Sequence, residues 1–531
     1  MSDTKNNLPR GWVLAPLGEI VHVNPRWMQH EPTDGESVSF LRMAAVEAGT
    51  GRLDPSASRI WKEVKKGYTR FQEGDVLFAK ITPCMENGKA ALAVGLLGGR
   101  GAGSTEFHVL RPIDEVRPKF VLHFLLQEAI RREARMKMKG AAGQLRVPPE
   151  FLEGMNVPLP PAREQRRIVE EIEKQFTKQE AGISALKRVL SNLKRYRAAV
   201  LKAAVEGRLV PTEAELARRE GRSYDPASEL LARIVTQPLL AVKKKAQAGV
   251  PVPPKPRHKE HVAPDAASLS KLPEGWAPTS LSQLKEFSLY GPRFSSDDYS
   301  DSGQIVVRTS DISPGGKVNV STAPKLRLDS DEFNKYKVQV GDLLITRTGS
   351  LGTLAVFNDE VDAIPGAYLI QYRLVTPLVT NWFVFYFLKS PMGQRHLIRG
   401  GAGVGRPNLN APTIDELPID LPPLAEQRRI VAEVERRLSV IDELEMQVDA
   451  SLKRAERLRQ AILTRAFEGK LVPQDPNDEP ASMLLERIKA ASVGDTATPG
   501  CAGASGIATL GRAGKRSKSK KAQAGVAVSL K

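Results

Sequence analysis

Two polar segments with hydrogen-bonding side chains follow apolar runs at corresponding places in the two halves of the sequence. The side chains are Lys80, Thr82, Asn87 and Lys89 in the first half, and Arg347, Thr348 and Ser350 in the second. Such residues at the end of a strand can place donors on base edges or phosphates. An ordinary solvated loop would have the same composition, so both interpretations are open. Corresponding positions with different residues favour recognition.

A second pair of polar segments precedes two long charged stretches. "GAAGQLRVP" begins at 140 and "GVGRPNLN" at 403, and their polar side chains include Gln144, Arg146, Arg406, Asn408 and Asn410. Glycine allows a close backbone approach to a ligand, and these side chains offer hydrogen bonds. A loop that merely caps the following helix is an equally open interpretation.

The common catalytic and metal-binding patterns do not occur in the sequence. There is no GxxxxGK[ST] phosphate loop, no HExxH, no paired CxxC and no GxSxG. Only Cys84 and Cys501 are present, and His123 lies in an apolar stretch typical of a helix in a core. We therefore predict a binding protein, with no catalytic residues and no metal site.

Composition predicts several globular domains and no membrane span. The chain has 531 residues, of which 41% are hydrophobic, and it contains no run of eighteen apolar residues. The amino-terminal sequence does not resemble a signal peptide, so we expect a cytoplasmic protein. The formal charge is +17, but 243–262 and 496–531 carry 12 of these charges. The remaining sequence is only mildly basic, so charge alone does not distinguish a DNA-binding surface from solubilising tails.

The sequence is written twice. "PPAREQRRIVEEI" at 160 and "PPLAEQRRIVAEV" at 422 agree at nine of thirteen positions. "AAVLKAAVEGRLVP" at 198 and "QAILTRAFEGKLVP" at 460 agree at eight of fourteen. Shorter pairs occur in the same order: "LPRGW" with "LPEGW", and "GDVLFAK" with "GDLLITR". Two constant parts thus alternate with two variable parts, in units far longer than solenoid repeats.

Each constant part has the pattern of one long amphipathic helix. Apolar residues recur at steps of three and four from Ile168 to Val200 and from Ile430 to Ile462, and Gly207 and Gly469 follow as stop signals. A helix from about 163 to 206 is roughly 66 Å long. A narrow stripe of this length favours a coiled coil between the two copies, although each helix could instead pack on its own domain. The pattern does not distinguish a parallel from an antiparallel pair.

The variable parts alternate β-rich runs with helical stretches, which predicts α/β domains inside an α+β chain. The predicted segments are 1–159 and 271–421 for the two domains, 160–211 and 422–473 for the long helices, 212–270 for a helical segment and linker, 474–495 for a short helix, and 496–531 for a basic tail.

These duplicated motifs resemble the DNA-specificity subunit of type I restriction-modification enzymes. The resemblance covers about 8 to 490 and is carried by "LPRGW", "GDVLFAK", "PLPPAREQRRIV" and "VEGRLVP" with their second copies. It implies two target-recognition domains, each reading half of a split DNA sequence, separated by an antiparallel coiled coil with a pseudo-two-fold repeat. The long basic linker and tail depart from the family pattern.

The resemblance also implies partners and cofactors. A non-catalytic specificity subunit would bind double-stranded DNA, two methylation subunits and restriction subunits that translocate DNA. S-adenosylmethionine, ATP and magnesium would belong to those partner subunits and not to this chain. Docking would use the repeated hexamer, that is Glu164, Gln165, Arg166, Arg167, Glu426, Gln427, Arg428 and Arg429. The alternative is a coiled-coil adaptor whose heads bind proteins.

Overall fold

The computed structural model describes residues 8–26, 28–113, 115–141, 143–236, 272–348, 351–399 and 408–494. Contacts divide the chain into two compact units, one combining Met1–Phe176 with Leu458–Lys531 and the other consisting of Thr177–Arg457. We call residues 8–159 the first head and 272–421 the second head. The predicted basic tail and most of the predicted linker lie outside the described residues. The segment boundaries given above stay predictions, because the two units group residues by contact and not by chain order.

The first head is built on two sheets and one additional strand pair. Its strands are β1 (Val13–Pro16), β2 (Val21–Val23), β3 (Ser37–Leu41), β4 (Ser58–Ile60), β5 (Thr69–Gln72), β6 (Val76–Ala79), β7 (Ala90–Leu92), β8 (Arg100–Gly103), β9 (Phe107–Pro112) and β10 (Asn156–Leu159). The sheet orders are β2-β9-β6-β7 and β4-β3-β8-β5, while β1 pairs with β10. β3 and β8 run parallel, and the other neighbouring pairs run antiparallel.

The helices of the first head cover the sheets and lead into the long helix. They are α1 (Leu17–Ile20), α2 (Trp61–Val64), α3 (Pro118–Leu125), α4 (Glu128–Lys137) and α5 (Pro149–Glu153). Proline at the first position starts α3, where no backbone N–H is needed, and the six residues from Phe120 onward are all buried. The run "KFVLHFLLQEAIRREARM" from 119 is one of the helical stretches predicted in the variable parts, and the sequence indicates a single helix. The structure divides it at Gln127, which has an extended backbone (φ −65°, ψ 135°).

Three helices follow the first head in the chain. They are α6 (Ala162–Val205), α7 (Glu213–Glu220) and α8 (Ala227–Thr236). α6 has 44 residues, and Gly207 beyond its end has a positive φ of 67°. This is the left-handed conformation that glycine adopts without strain, so the predicted stop signal is confirmed.

The second head repeats this plan with its own details. Its strands are β11 (Ala277–Ser280), β12 (Lys285–Tyr290), β13 (Gln304–Val307), β14 (Lys325–Leu326), β15 (Leu343–Thr346), β16 (Leu354–Val356), β17 (Ala363–Pro365), β18 (Leu369–Leu374) and β19 (Pro418–Leu421). The sheet orders are β12-β18-β15-β16 and β14-β13-β17, and β11 pairs with β19. The parallel pair recurs, with Val307 opposite Pro365 where the first head has Leu41 opposite Gly103.

The remaining helices complete both units. They are α9 (Leu281–Leu284), α10 (Ser330–Tyr336), α11 (Asn381–Lys389), α12 (Pro391–Arg399), α13 (Ala411–Asp415), α14 (Leu424–Phe467) and α15 (Ala481–Gly494). α14 has 44 residues, the same number as α6. No helix in the described ranges is both long enough and apolar enough to cross a bilayer.

The two long helices run antiparallel within the second unit. Gln179 donates a 2.6 Å hydrogen bond from Nε2 to the carbonyl oxygen of Ala455, and Arg197 forms a 3.0 Å ion pair with Glu445. The partner number falls along α14 as the residue number rises along α6, which is the antiparallel arrangement. The predicted α+β class, with duplicated heads and a pair of long antiparallel helices, is confirmed.

The apolar stripe of these helices is buried mainly where it meets a head. Ile168 and Ile172 of α6 are fully buried in the core of the first unit, whereas Leu186 in the middle of α6 is only half-buried. Leu458 belongs to the apolar stripe predicted from Ile430 to Ile462, and this prediction is wrong at that position: its side chain is 53% exposed, and the neighbouring Arg459 is buried instead. The Arg459 guanidinium carbon lies 3.8 Å from the ring centroid of Phe176, a cation–π contact that an inward leucine would lack.

Each unit has a core to which both long helices contribute. In the first unit, Phe120 and Phe124 of α3 pack with Leu463 and Phe467 at the end of α14 and with Leu484 of α15. The second unit has the corresponding arrangement, in which residues at the end of α6 and the beginning of α14 pack on α11. These residues are Val200, Leu201, Phe383, Phe387, Ile430 and Val434.

Candidate nucleic-acid interface

The two polar loops predicted for the first head are joined to each other. The backbone N–H of Val147 donates to the carbonyl of Lys80 at 2.9 Å, and that of Thr82 donates to the carbonyl of Leu145 at 3.0 Å. An isolated antiparallel bridge also pairs Ile81 with Arg146. The loop that follows β6 and the loop that precedes α5 therefore form one continuous surface.

Some side chains of this surface are held by internal hydrogen bonds. Thr82 donates from Oγ1 to Glu86 at 2.7 Å, and Lys89 donates from Nζ to the carbonyl of Met43 at 2.8 Å. Arg146 donates two hydrogen bonds, of 2.9 and 2.8 Å, to the carboxylate of Glu106. This fork lowers the pKa of the Glu106 carboxyl and fixes the arginine plane.

Other side chains of the same surface have no such restraint. Lys80 is partly exposed, and Asn87 and Gln144 are exposed. None of the three side chains has a hydrogen bond or ion pair within the described part of the chain. Their polar groups remain available to a ligand.

The second head joins its two polar loops in the same way. The backbone N–H of Leu409 donates to the carbonyl of Arg347 at 2.8 Å, and a bridge pairs Thr348 with Asn408. The Arg347 guanidinium carbon lies 4.8 Å from the ring centroid of Tyr290, and its Nε donates a long 3.4 Å hydrogen bond to Asn408. Two other predicted contact residues, Ser350 and Arg406, lie outside the described residues.

Lys80 and Arg347 occupy equivalent positions in the two heads. Lys80 directly follows the buried strand β6, and Arg347 directly follows β15. The carbonyl of Lys80 accepts the backbone N–H of Val147 just before α5, and that of Arg347 accepts the N–H of Leu409 just before α13. Their surroundings differ, since Arg347 stacks on an aromatic ring and Lys80 lies beside the Glu106 and Arg146 pair. The backbone frame is thus shared while the side chains differ.

The first two residues of the repeated hexamer lie in a long helix and are buried against the head that precedes it. Trp12 donates from Nε1 to Glu164 at 3.0 Å, and Trp276 donates to Glu426 at 2.9 Å. Glu164 is 1% exposed, and burial raises the pKa of its carboxyl. The same burial raises the pKa of Glu426. Each tryptophan comes from the "LPRGW" or "LPEGW" motif that opens the head.

The glutamine of the hexamer holds the first turn of another helix. Gln165 accepts the backbone N–H of Arg117, the residue before α3, at 3.1 Å, and its amide donates to Pro160 at 3.1 Å. Gln427 does the same, accepting from Thr380 before α11 at 2.9 Å and donating to Pro422 at 2.9 Å. These contacts satisfy an N–H that the helix itself leaves unpaired.

The two arginines of each hexamer have different environments. Arg167 forms a 2.7 Å ion pair with Asp478, and Arg429 forms a 2.5 Å ion pair with Glu213. Arg166 and Arg428 are exposed. Of the eight predicted docking residues, four are buried against a head and two are half-buried in ion pairs. The docking function stays a prediction, and the exposed arginines are the hexamer residues most accessible to a partner.

A buried ion pair in each head was not singled out from the sequence. Arg111 donates from Nε and Nη2 to the two carboxylate oxygens of Asp75, both at 2.7 Å. Arg373 binds Asp342 in the same manner, at 2.9 and 2.7 Å. Both aspartates follow the glycine of the repeated "GDVLFAK" and "GDLLITR" motifs, where a glycine–aspartate pair is typical of a tight turn. The sequence signal for these two ion pairs is an arginine that is the fifth residue of both β9 and β18.

His123 is buried in the core of the first unit, as predicted. Its ring makes an edge contact with Phe176 at a centroid distance of 5.7 Å, and neither ring nitrogen has a hydrogen-bond partner. Burial lowers the pKa of His123 to about 3, so the ring is neutral at pH 7. The described residues contain no group of three histidine, cysteine, aspartate or glutamate side chains arranged to hold a metal ion.

Comparisons with known proteins agree with this architecture. A family model described as the type I restriction modification DNA specificity domain matches residues 9–187 and 273–454. The specificity subunits of the type I restriction enzymes EcoAI and EcoEI from Escherichia coli are 26% and 27% identical, over 87% of this chain and 83% of each relative.

A solved structure shows the same fold. The chain is similar, at 20% identity and a TM-score of 0.55, to one from work on complex assembly and conformational transition of the type I R-M system. That similarity covers 87% of this chain and 99% of the other. Since the family model matches twice and spans well over half of the sequence, the chain belongs to the type I restriction-modification DNA-specificity family.

Proposed function

We propose that this chain is the subunit that reads a split double-stranded DNA sequence for a type I restriction-modification complex, with one head for each half of the target. The family match and the two similar heads support this proposal. A duplicated frame that carries different side chains at its polar loops suits two unlike half-sites, because base contacts specify a sequence while phosphate contacts position the protein.

One observation carries the proposal. In each head, backbone hydrogen bonds join the loop after β6 or β15 to the loop that follows helices α3 and α4, or α11 and α12. A positively charged residue lies at this junction in both heads. Lysine occupies this place in the first head and arginine in the second. A rigid frame with an interchangeable cation suits direct reading of different bases, since arginine and lysine both recognise guanine in the major groove.

The proposal assigns catalysis to partner subunits. Two methylation subunits would modify the DNA and restriction subunits would translocate and cut it, in the cytoplasm, with S-adenosylmethionine, ATP and magnesium bound by those partners. The chain itself would recognise the DNA sequence and provide the docking surfaces. Arg166 and Arg428, the exposed members of the repeated hexamer, would contact the two methylation subunits at equivalent places.

Mapping of DNA methylation tests the reading function directly. The chain is expressed with its methylation subunit in cells that lack other methyltransferases, and modified bases are located by single-molecule sequencing. We expect one motif in two parts, separated by a gap of fixed length. Methylation without any shared motif, or no methylation at all, would favour the alternative of an adaptor whose heads bind proteins.

Charge reversal tests the docking surfaces. Arg166→Glu and Arg428→Glu should each weaken co-purification of the methylation subunit, and the double variant should lose it. Arg218→Glu serves as a matched control, because Arg218 is exposed and lies on α7 outside the hexamers. Unchanged co-purification of the double variant would remove the hexamers from the docking surface.

A further inference from the structure

A cleft of about 330 Å³ on the first head combines aromatic rings with two arginines. It is lined by Phe40, Arg42, Met43, Arg59, Tyr68 and Ser104. The rings of Phe40 and Tyr68 meet edge to face at a centroid distance of 5.1 Å, and Tyr68 is 39% exposed. The Arg59 guanidinium carbon lies 4.9 Å from the Phe40 ring centroid. The cleft therefore offers a cationic rim above an aromatic wall.

The positive charge of this cleft is not neutralised within the described residues. Arg42 and Arg59 are both exposed, neither forms an ion pair there, and none of the residues lining the cleft is acidic. Two other arginines of this head, which are only partly exposed, do have acidic partners. Arg100 pairs with Glu36 at 2.8 Å, and Arg70 pairs with Glu31 at 3.1 Å. Two adjacent free guanidinium groups create a local site for an anion.

The second head shows the same backbone position with its charge neutralised. Arg42 follows β3 and Arg308 follows β13, and each precedes a short 3₁₀ turn of three residues. Arg308 donates two hydrogen bonds, of 3.0 and 2.8 Å, to Asp311 in that turn. Ala45 stands at the corresponding position of the first head, so Arg42 has no such acid. Within the described ranges, an arginine without an acidic partner therefore occurs at this position in the first head and not in the second.

The cleft adjoins the loops that are proposed to read DNA. Lys89 of the first polar loop donates to the carbonyl of Met43, a cleft residue. Ser104 at the other side accepts the backbone N–H of Glu106 at 3.2 Å, and Glu106 holds Arg146 of the second polar loop. The cleft and the proposed reading loops thus share their supporting residues.

We propose that this cleft binds one phosphodiester of the duplex DNA strand next to the bases that the first head reads. This inference rests on the proposed function. The two guanidinium groups would share the charge of a single phosphate, and the exposed ring of Tyr68 would pack against the adjoining sugar. Such a contact positions the head on the duplex without selecting a sequence, so its effect is the same on every DNA.

The salt dependence of DNA binding tests this assignment. Binding of the full chain to a fluorescent duplex of about 30 base pairs and unrelated sequence is measured from 50 to 200 mM salt. Each phosphate contact contributes about 0.9 to the slope of log K against log salt concentration. Arg42→Ala with Arg59→Ala should lower that slope by about one, so the change in affinity across this salt range should shrink about threefold.

A matched control removes the same charge elsewhere. Arg218 and Arg233 are exposed arginines on α7 and α8 that pair with Glu274 and Asp225. The double variant Arg218→Ala with Arg233→Ala should keep the slope of the original chain. An unchanged slope in the cleft variant, or an equal decrease in the control, would overturn the cleft assignment while leaving the proposed function in place. If the original chain does not bind the duplex, the cleft assignment fails, and the methylation map decides the proposed function separately.

Adding the acidic residue of the second head to the first head gives an independent test. Ala45→Asp supplies the first head with the acid that holds Arg308 in the second, so it should lower the salt slope although both arginines remain. A matching thermal unfolding midpoint would show that the head is still folded. If folded Ala45→Asp protein keeps the original slope, Arg42 makes no phosphate contact.

Discussion

Trp12 Nε1 donates a 3.0 Å hydrogen bond to Glu164 Oε2 across 152 residues of sequence. The second copy reproduces this bond between Trp276 and Glu426 across 150 residues. The first motif of each head is therefore bound to the first turn of the long helix that follows it. This bond gives a physical reason for repeating the tryptophan and the glutamate together.

Replacing Glu164 separates the hydrogen bond from the charge. Glu164→Ala leaves the buried indole N–H without an acceptor and should lower the free energy of unfolding by about 1–3 kcal/mol. Glu164→Gln keeps an acceptor oxygen and removes a carboxylate that burial disfavours, so it should retain stability close to the original. Urea unfolding followed by tryptophan fluorescence measures both. Equal stability of the alanine variant and the original chain would contradict this view of the motif.

The buried pair of Asp75 and Arg111 should be far more sensitive than an exposed pair. Asp75→Ala leaves a buried guanidinium without its partner and should lower the unfolding free energy by about 3–5 kcal/mol. Arg197 is part of a half-exposed pair, and Arg197→Ala should change it by no more than about 1 kcal/mol. Denaturant midpoints of the two variants provide the comparison, and similar losses would show that burial of the first pair is not decisive.

His123 should make the first unit sensitive to acid. Its folded pKa of about 3 lies below the unfolded value of about 6.5, so only the unfolded state takes up a proton as the pH falls between these values. The contribution of neutral His123 to the free energy of unfolding is fully present above about pH 7. It declines on acidification, by about 2 kcal/mol at pH 5.

The variant His123→Leu removes this linkage. The stability difference between the variant and the original chain should therefore grow by about 2 kcal/mol from pH 7.5 to pH 5. His30→Leu at an exposed position is the control, and urea unfolding at both pH values is the measurement. A difference independent of pH would mean that His123 can be protonated in the folded state.

Arg347 and Lys80 should each affect one half of the DNA target. If Arg347 reads a base, Arg347→Ala should relax the methylated motif at one position of the half that the second head reads, by about 1–3 kcal/mol, and leave the other half unchanged. Lys80→Ala should do the same for the other half. Sequencing of methylated DNA reveals either change. A uniform loss of methylation at all sites would assign these residues to phosphates.

Periodic and repeated features were predictable from the sequence because they depend on spacing alone. The stripe from Ile168 to Val200 predicted α6, and the paired motifs "GDVLFAK" and "GDLLITR" indicated corresponding segments, which form β6 and β15. The joining of the two polar loops was not predictable, since the backbone hydrogen bond between Val147 and Lys80 leaves no trace in residue types. The sequence identified the right residues without showing that they share one surface.

The repeated hexamer shows why burial is difficult to predict. Glu164 and Gln165 are polar residues in a charged helix, which indicated an exposed surface, yet partners distant in sequence bury both. Arg459 is a similar case, because the facing ring of Phe176 makes an inward arginine favourable. Helical spacing identifies the face of a helix but not the group that will cover it.

The grouping of the last helices with the first head has a consequence for synthesis. A ribosome completes the second unit, Thr177–Arg457, as one uninterrupted stretch. The first head leaves the ribosome earlier, yet Leu463, Phe467 and Leu484 of its core are made only after the whole second unit. The core of the first head therefore stays incomplete, with apolar surface exposed, until the second unit has been synthesised.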